Sequence, residues 1–112
     1  MSTTLFVDKG DTVVLHCTHL CANGTSWEGP RGSIAMPNET EAVVYSVNLQ
    51  INPNLKITNI AIYSDSTRGT CHLQIKNFST LNDGIYQCSF LSGGLSIQRY
   101  NVFSKSELHI VI

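Results

Sequence analysis

The 112-residue chain predicts an all-β antiparallel sandwich of two sheets. Apolar and polar residues alternate over short stretches, the period of a strand with one buried face. Clusters of Gly, Pro, Asn, Asp and Ser separate those stretches. No segment carries amphipathic helical spacing, so the crossover helices that a parallel sheet needs are missing from the pattern. A chain of this length has room for one core. No repeat, linker or low-complexity tract divides it, and residues 1–112 read as a single domain.

The elements follow in order along the sequence. A first strand over 5–7 runs into the turn Asp8-Lys9-Gly10-Asp11, and a second strand covers 12–18. A short third strand over 26–28 surrounds Trp27; Gly29-Pro30 ends it, because proline cannot donate to a ladder. Strands over 42–51 and 55–63 are separated by Asn52-Pro53-Asn54, and strands over 69–78 and 85–91 by the turn residues 79–84. Gly93-Gly94 marks a hairpin turn within a loop over 92–101. In the final strand Leu108, Ile110 and Ile112 alternate with Glu107, His109 and Val111. Eight or so short strands with frequent turns suit a sandwich.

Composition narrows the function classes. Hydrophobic residues make up 42% of the chain and the mean hydropathy is +0.02, enough apolar material for a packed interior. Seven Lys+Arg against eight Asp+Glu leave a net charge of -1, so the basic footprint of a nucleic-acid binder is absent. No apolar run approaches the roughly 18 residues needed to cross a bilayer, and this fragment is not expected to insert into a membrane. Residues 1–4 lack the charged and apolar regions of a signal peptide. Asn23-Gly24-Thr25, Asn38-Glu39-Thr40 and Asn77-Phe78-Ser79 are three acceptor sequons for N-linked glycans. Together with four cysteines they point to an extracellular module, cell-surface or secreted, whose signal peptide and any anchor are absent from this sequence.

The segment from His16 to Cys21 packs two cysteines and two histidines together. Side chains at i and i+2 of a strand share a face, so Cys17, His19 and Cys21 can point one way and His16 the other. Two chemistries compete. Cys17, Cys21, Cys71 and one histidine could hold structural zinc, although Cys71 and Cys88 lack the paired spacing of zinc ligands. The alternative is a disulfide framework. His16, His72 and His109 fall at outward positions and His19 at a loop edge, the ordinary places for surface histidines. The sequence holds no G-x-S-x-G elbow, phosphate-cradling glycine loop or H-E-x-x-H pair, and neither catalysis nor a cofactor is expected.

Asp83-Gly84-Ile85-Tyr86-Gln87-Cys88 carries the G-x-Y-x-C end of the D-x-G-x-Y-x-C pattern, with its aspartate one residue closer to the glycine, and with it the chain resembles an immunoglobulin-superfamily domain of a cell-surface receptor or adhesion molecule. Leu15-His16-Cys17 resembles strand B, Trp27 the core tryptophan of strand C, and Leu73, Ile75 and Phe78 the inward residues of strand E and the turn after it. Sixty residues lie between Trp27 and Cys88, room for the extra strands C′ and C″ of the variable type. The resemblance covers essentially the whole chain. It implies an intersheet disulfide Cys17–Cys88 beside Trp27, and a tyrosine corner at Tyr86 with Asp83 and Gly84. It also implies a salt bridge from Asp83 to Lys56, with Arg68 as the second candidate, and a further disulfide Cys21–Cys71 between strands B and E.

The function so implied is recognition, by an immune-type or adhesion receptor, of a protein ligand or counter-receptor, heterophilic or homophilic. The contact region would be the G-F-C-C′ face or the loop after strand F, with Leu91, Leu95, Ile97, Arg99 and Tyr100 as contact residues, since aromatic, Arg and apolar side chains dominate binding energy at interfaces. Sugars at Asn23, Asn38 and Asn77 leave the F–G region unshaded. The competing readings are a secreted immunoglobulin-like defence or decoy molecule, and a structural module with no ligand of its own.

Overall fold

A computed structural model of the chain describes residues 2–17, 24–30, 43–65, 69–90 and 96–105. The sandwich is built from nine strands among those residues: β1 (Ser2–Val7), β2 (Val13–Leu15), β3 (Ser26–Gly29), β4 (Val43–Val47), β5 (Gln50–Ile51), β6 (Ile60–Asp65), β7 (Thr70–Ile75), β8 (Gly84–Phe90) and β9 (Ser96–Ser104). A 3-10 turn, Thr80–Asn82, precedes β8. The six-stranded sheet has the order β1-β9-β8-β3-β4-β5, and β2-β7-β6 form the second sheet. Every pairing is antiparallel except β1 with β9, which run parallel with Leu5 opposite Val102 and Phe6 opposite Phe103.

The alternation read from the sequence is what fills the core. In β7, Cys71, Leu73 and Ile75 are buried while His72 and Gln74 are half-buried. Leu15 and Val13 of β2 join them from the neighbouring strand, and Trp27, Tyr45, Tyr86, Cys88 and Val102 close the core from the six-stranded sheet. Burying each aliphatic side chain of this set contributes about 1.5–3 kcal/mol. Cys17 and Cys88 are joined by a disulfide across the two sheets, with Cα atoms 6.0 Å apart and a separation of 71 positions in sequence. Trp27 lies opposite Cys88 in the β3–β8 ladder, and its indole N–H points at the Cys71 carbonyl, 3.4 Å away. Cys17 is thereby withdrawn from the zinc set considered above.

Four readings of the sequence change. The stretch over 42–51 is a hairpin, because Asn48 takes a left-handed conformation (φ 53) that turns the chain between β4 and β5. The strand expected over 55–63 begins only at Ile60; Leu55 and Ile57 pack on the core from an irregular segment. The third strand extends through Gly29, where an added Cβ would stand 2.8 Å from the rings of both Tyr45 and Tyr86. Residues 96–104, read above largely as loop, form the longest strand of the protein's described residues. The strand expected near 107–112 lies outside the described residues.

Candidate functional site

Strand parity separates the two faces of the six-stranded sheet. Tyr86 and Cys88 on β8, Tyr100 and Val102 on β9 and Trp27 on β3 face the core. Ile85, Gln87 and Ser89, with Arg99, Asn101 and Phe103, and with Ser26 and Glu28, face outward. Register then lines up one polar row: Arg99 lies opposite Gln87, Gln87 opposite Glu28, and Glu28 opposite Val44. Arg99 Nη2 donates to Gln87 Oε1 at 3.3 Å, and Gln87 Nε2 donates to Glu28 Oε1 at 2.5 Å. The amide of Gln87 thus holds a cation on one side and a carboxylate on the other. Exposed Val44, Val47, Ile85 and Phe103 flank the row. The face combines this hydrogen-bonded row with exposed apolar side chains.

The core side of the same strands sets the rigidity of that face. The Tyr86 hydroxyl donates to the Asn82 carbonyl, so the strand that carries Cys88 is tied back to the 3-10 turn. The turn itself is capped by Ser79, whose hydroxyl accepts from the Leu81 amide while Asn82 Oδ1 accepts from the Ser79 amide. Gly84 has φ 146, and a Cβ there would meet the Pro30 ring at 3.0 Å, which explains the glycine of the motif. Burial raises the phenols of Tyr45 and Tyr86 well above the ordinary tyrosine value. The Tyr45 hydroxyl donates to the Pro30 carbonyl, and the two rings meet edge to face at 5.8 Å.

Several sequence-predicted site residues take other roles. Tyr100 is a strand residue: half-buried, it stacks on Trp27 at 6.2 Å and donates its hydroxyl to the His16 carbonyl, with burial raising its phenol. It supports the sheet from behind. Asp83 does not pair with Lys56; its Oδ1 accepts from the Ser104 amide at 2.7 Å and its Oδ2 from the Ser104 hydroxyl at 3.4 Å, while Lys56 is exposed. The reason is topological, since the exit of the 3-10 turn abuts the end of β9. Asn77 is exposed, with φ 51, at the turn after β7. The backbone of Ile97 lies in β9 opposite Ser89. Cys21, Asn23, Asn38, Arg68, Leu91 and Leu95 lie outside the described residues, as do His19 and His109.

Sequence reasoning missed Glu28 and Gln87 as a pair, because their contact requires knowing that β3 and β8 are neighbours in register. It also missed a histidine contact on the outer face of the second sheet, where His16 and His72 meet edge-on at 4.6 Å and Tyr63 packs on His72 at 5.5 Å. Their outward parity was the only signal available.

No family model and no curated protein matches the chain. Among solved structures, the chain superimposes on that of Dpr1 IG1 bound to DIP-eta IG1 with a TM-score of 0.70 and 18% identity, covering 95% of this chain and 92% of that one. This likeness and the topology above define the fold as immunoglobulin-like, of the variable type: β9, β8, β3, β4 and β5 stand where strands G, F, C, C′ and C″ stand in that arrangement, and β2, β7 and β6 where B, E and D stand.

Proposed function

We propose that the chain is an extracellular recognition module of an immune-type or adhesion receptor, which binds a protein partner through the outer face of β9, β8, β3 and β4. The observation that carries this is the Arg99–Gln87–Glu28 row, a cation and a carboxylate held on either side of one amide and flanked by exposed Val44, Ile85 and Phe103. A solved relative in fold, Dpr1 IG1, is bound to another immunoglobulin domain, DIP-eta IG1, and this favours a protein partner here as well. Fold alone does not fix function, so the step rests on the face. Leu91, Leu95 and Ile97 are the further contact residues of this reading.

Under the same reading the chain carries N-linked glycans at Asn23, Asn38 and Asn77, and Cys21 is joined to Cys71. Cys71 is buried in β7, beside the strand that leads into Cys17, and no cysteine is free among the described residues. Peptide mapping of secreted material reads both features at once: unmodified asparagines would remove the extracellular assignment, and a Cys21 thiol open to alkylation would remove the second bridge.

The functional test is a screen of the glycosylated chain against a panel of cell-surface ectodomains, followed by the paired substitution Arg99→Ala and Glu28→Ala. Binding to the selected partner should weaken by about tenfold or more, the scale of a residue worth over 1.4 kcal/mol, with an unchanged thermal midpoint. Full affinity in the paired variant would place the contact elsewhere.

A further inference from the structure

The two sheets end in edges of different character. Natural proteins guard such edges with charge, proline, bulges or shortness, because a bare edge is a template for another strand. β5 is guarded by length, with two residues, and β2 has three. β6 runs for six residues but ends in Asp65. β1, Ser2–Val7, also runs for six residues, and its sequence STTLFV holds no charge, proline or glycine. Its partner on one side is β9; the other side borders no strand among the described residues.

Beside that edge lies an apolar surface. Phe6 is 64% exposed, the largest value among the large hydrophobics of the described residues, and its ring packs on Phe103 at 6.3 Å. Ile85 on β8 continues the patch. The charges nearest the end of the strand, Asp8 and Lys105, offset one another in an ion pair at 3.5 Å.

We propose that a second copy of this chain pairs antiparallel along the free edge of β1, extending the six-stranded sheet through a two-fold axis normal to it. An antiparallel strand pair is self-complementary under such an axis, so the same six residues serve both partners. Register is restricted, because side chains must stay on matching faces. Even positions pair with even ones, which sets Phe6 of one copy beside Thr4 or Phe6 of the other. The two Phe6–Phe103 pairs then form one apolar stripe across the joint. Charge permits the approach: the strand is uncharged, and a net charge of -1 leaves little repulsion between copies. The joint adjoins the recognition face at Phe103 and Ile85 but does not use the Arg99–Gln87–Glu28 row, and it goes beyond the recognition reading.

Sedimentation equilibrium of the full chain from about 10 μM to 1 mM tests the proposal, with amide exchange recorded at both ends of the range. The expected result is a monomer–dimer equilibrium in which β1 amides gain protection with concentration. Thr4→Lys and Phe6→Lys, both on the exposed face, should weaken it tenfold or more, while Arg99→Ala leaves it unchanged. A chain that stays monomeric throughout, a dimer with unprotected β1 amides, or a dimer abolished by Arg99→Ala would each overturn it. The exchange measurement on the unsubstituted chain keeps the test decisive if a lysine variant folds poorly.

Discussion

The carboxylate of Asp83 is held by Ser104, through the backbone amide at 2.7 Å and the hydroxyl at 3.4 Å, so the turn before β8 is fastened to the end of β9. Hydrogen bonds to charged groups contribute about 1.5–3 kcal/mol. Asp83→Ala should therefore lower the unfolding free energy by about that amount. Lys56→Ala, at an exposed position, should change it by no more than about 0.5 kcal/mol. Urea denaturation of both variants reads the difference; equal losses would return Lys56 to the role the motif implies.

Gly29 lies where β3 passes beneath two aromatic rings, and a methyl group there would sit 2.8 Å from Tyr45 Cζ and from the Tyr86 ring. Both rings are fully buried and meet edge to face, so neither has space to retreat. Overpacking of this kind costs about 1–3 kcal/mol. Gly29→Ala should show that loss in a thermal melt, with a lower midpoint and no gain from any change in surface charge.

Much of this architecture is legible in the residues, and the exceptions share a cause. Leu15, Leu73, Ile75, Phe78 and Tyr86 are buried, as the resemblance implies for strand B, for strand E with the turn after it, and for the tyrosine corner. The bridge between Cys17 and Cys88 follows from the motif around Tyr86. β9 is hidden because its outward positions carry Arg99, Asn101 and Phe103 and its inward ones Gln98, Tyr100 and Val102, a mixture without clean alternation. The ladders with β8 and β1 and the stacking of Tyr100 on Trp27 decide its state. The hairpin at Asn48 is likewise hidden inside an apolar-rich run. The outer-face row depends on register between strands 59 residues apart, Glu28 and Gln87, and no local pattern encodes that.

The Cys17–Cys88 bridge closes a loop of 71 residues, and in the chain-entropy account such a loop stabilises the fold by about 4 kcal/mol. Both sulfurs belong to residues with no exposed surface. Replacing the pair by alanine should lower stability by about 2–5 kcal/mol, comparable to the margin of a small domain. Denaturation monitored at Trp27, the single tryptophan, which lies opposite Cys88, provides the readout. A midpoint unchanged by the double substitution would mean that packing of the two sheets alone maintains the sandwich.

The buried phenols set the alkaline limit of the fold. Tyr45 and Tyr86 are fully buried, and burial is the main cause that raises both; for Tyr86 the neighbouring Tyr45 and the Asp83 carboxylate act in the same direction. In the unfolded chain each titrates near about 10. Their contribution is fully present below that value and is lost as pH rises toward the folded-state values, because the unfolded chain gives up protons that the folded one retains. Above pH 10 stability should fall by up to about 1.4 kcal/mol per pH unit for each such tyrosine. Tyr86→Phe removes one titrating group and also the hydroxyl that donates to the Asn82 carbonyl. Its stability at pH 7 should drop by about 1–3 kcal/mol, while the decline between pH 10 and 11.5 becomes shallower by one proton's worth. Urea titrations across that range would show parallel slopes if Tyr86 ionised freely in the fold, and that result would contradict its enclosure between β3 and the 3-10 turn.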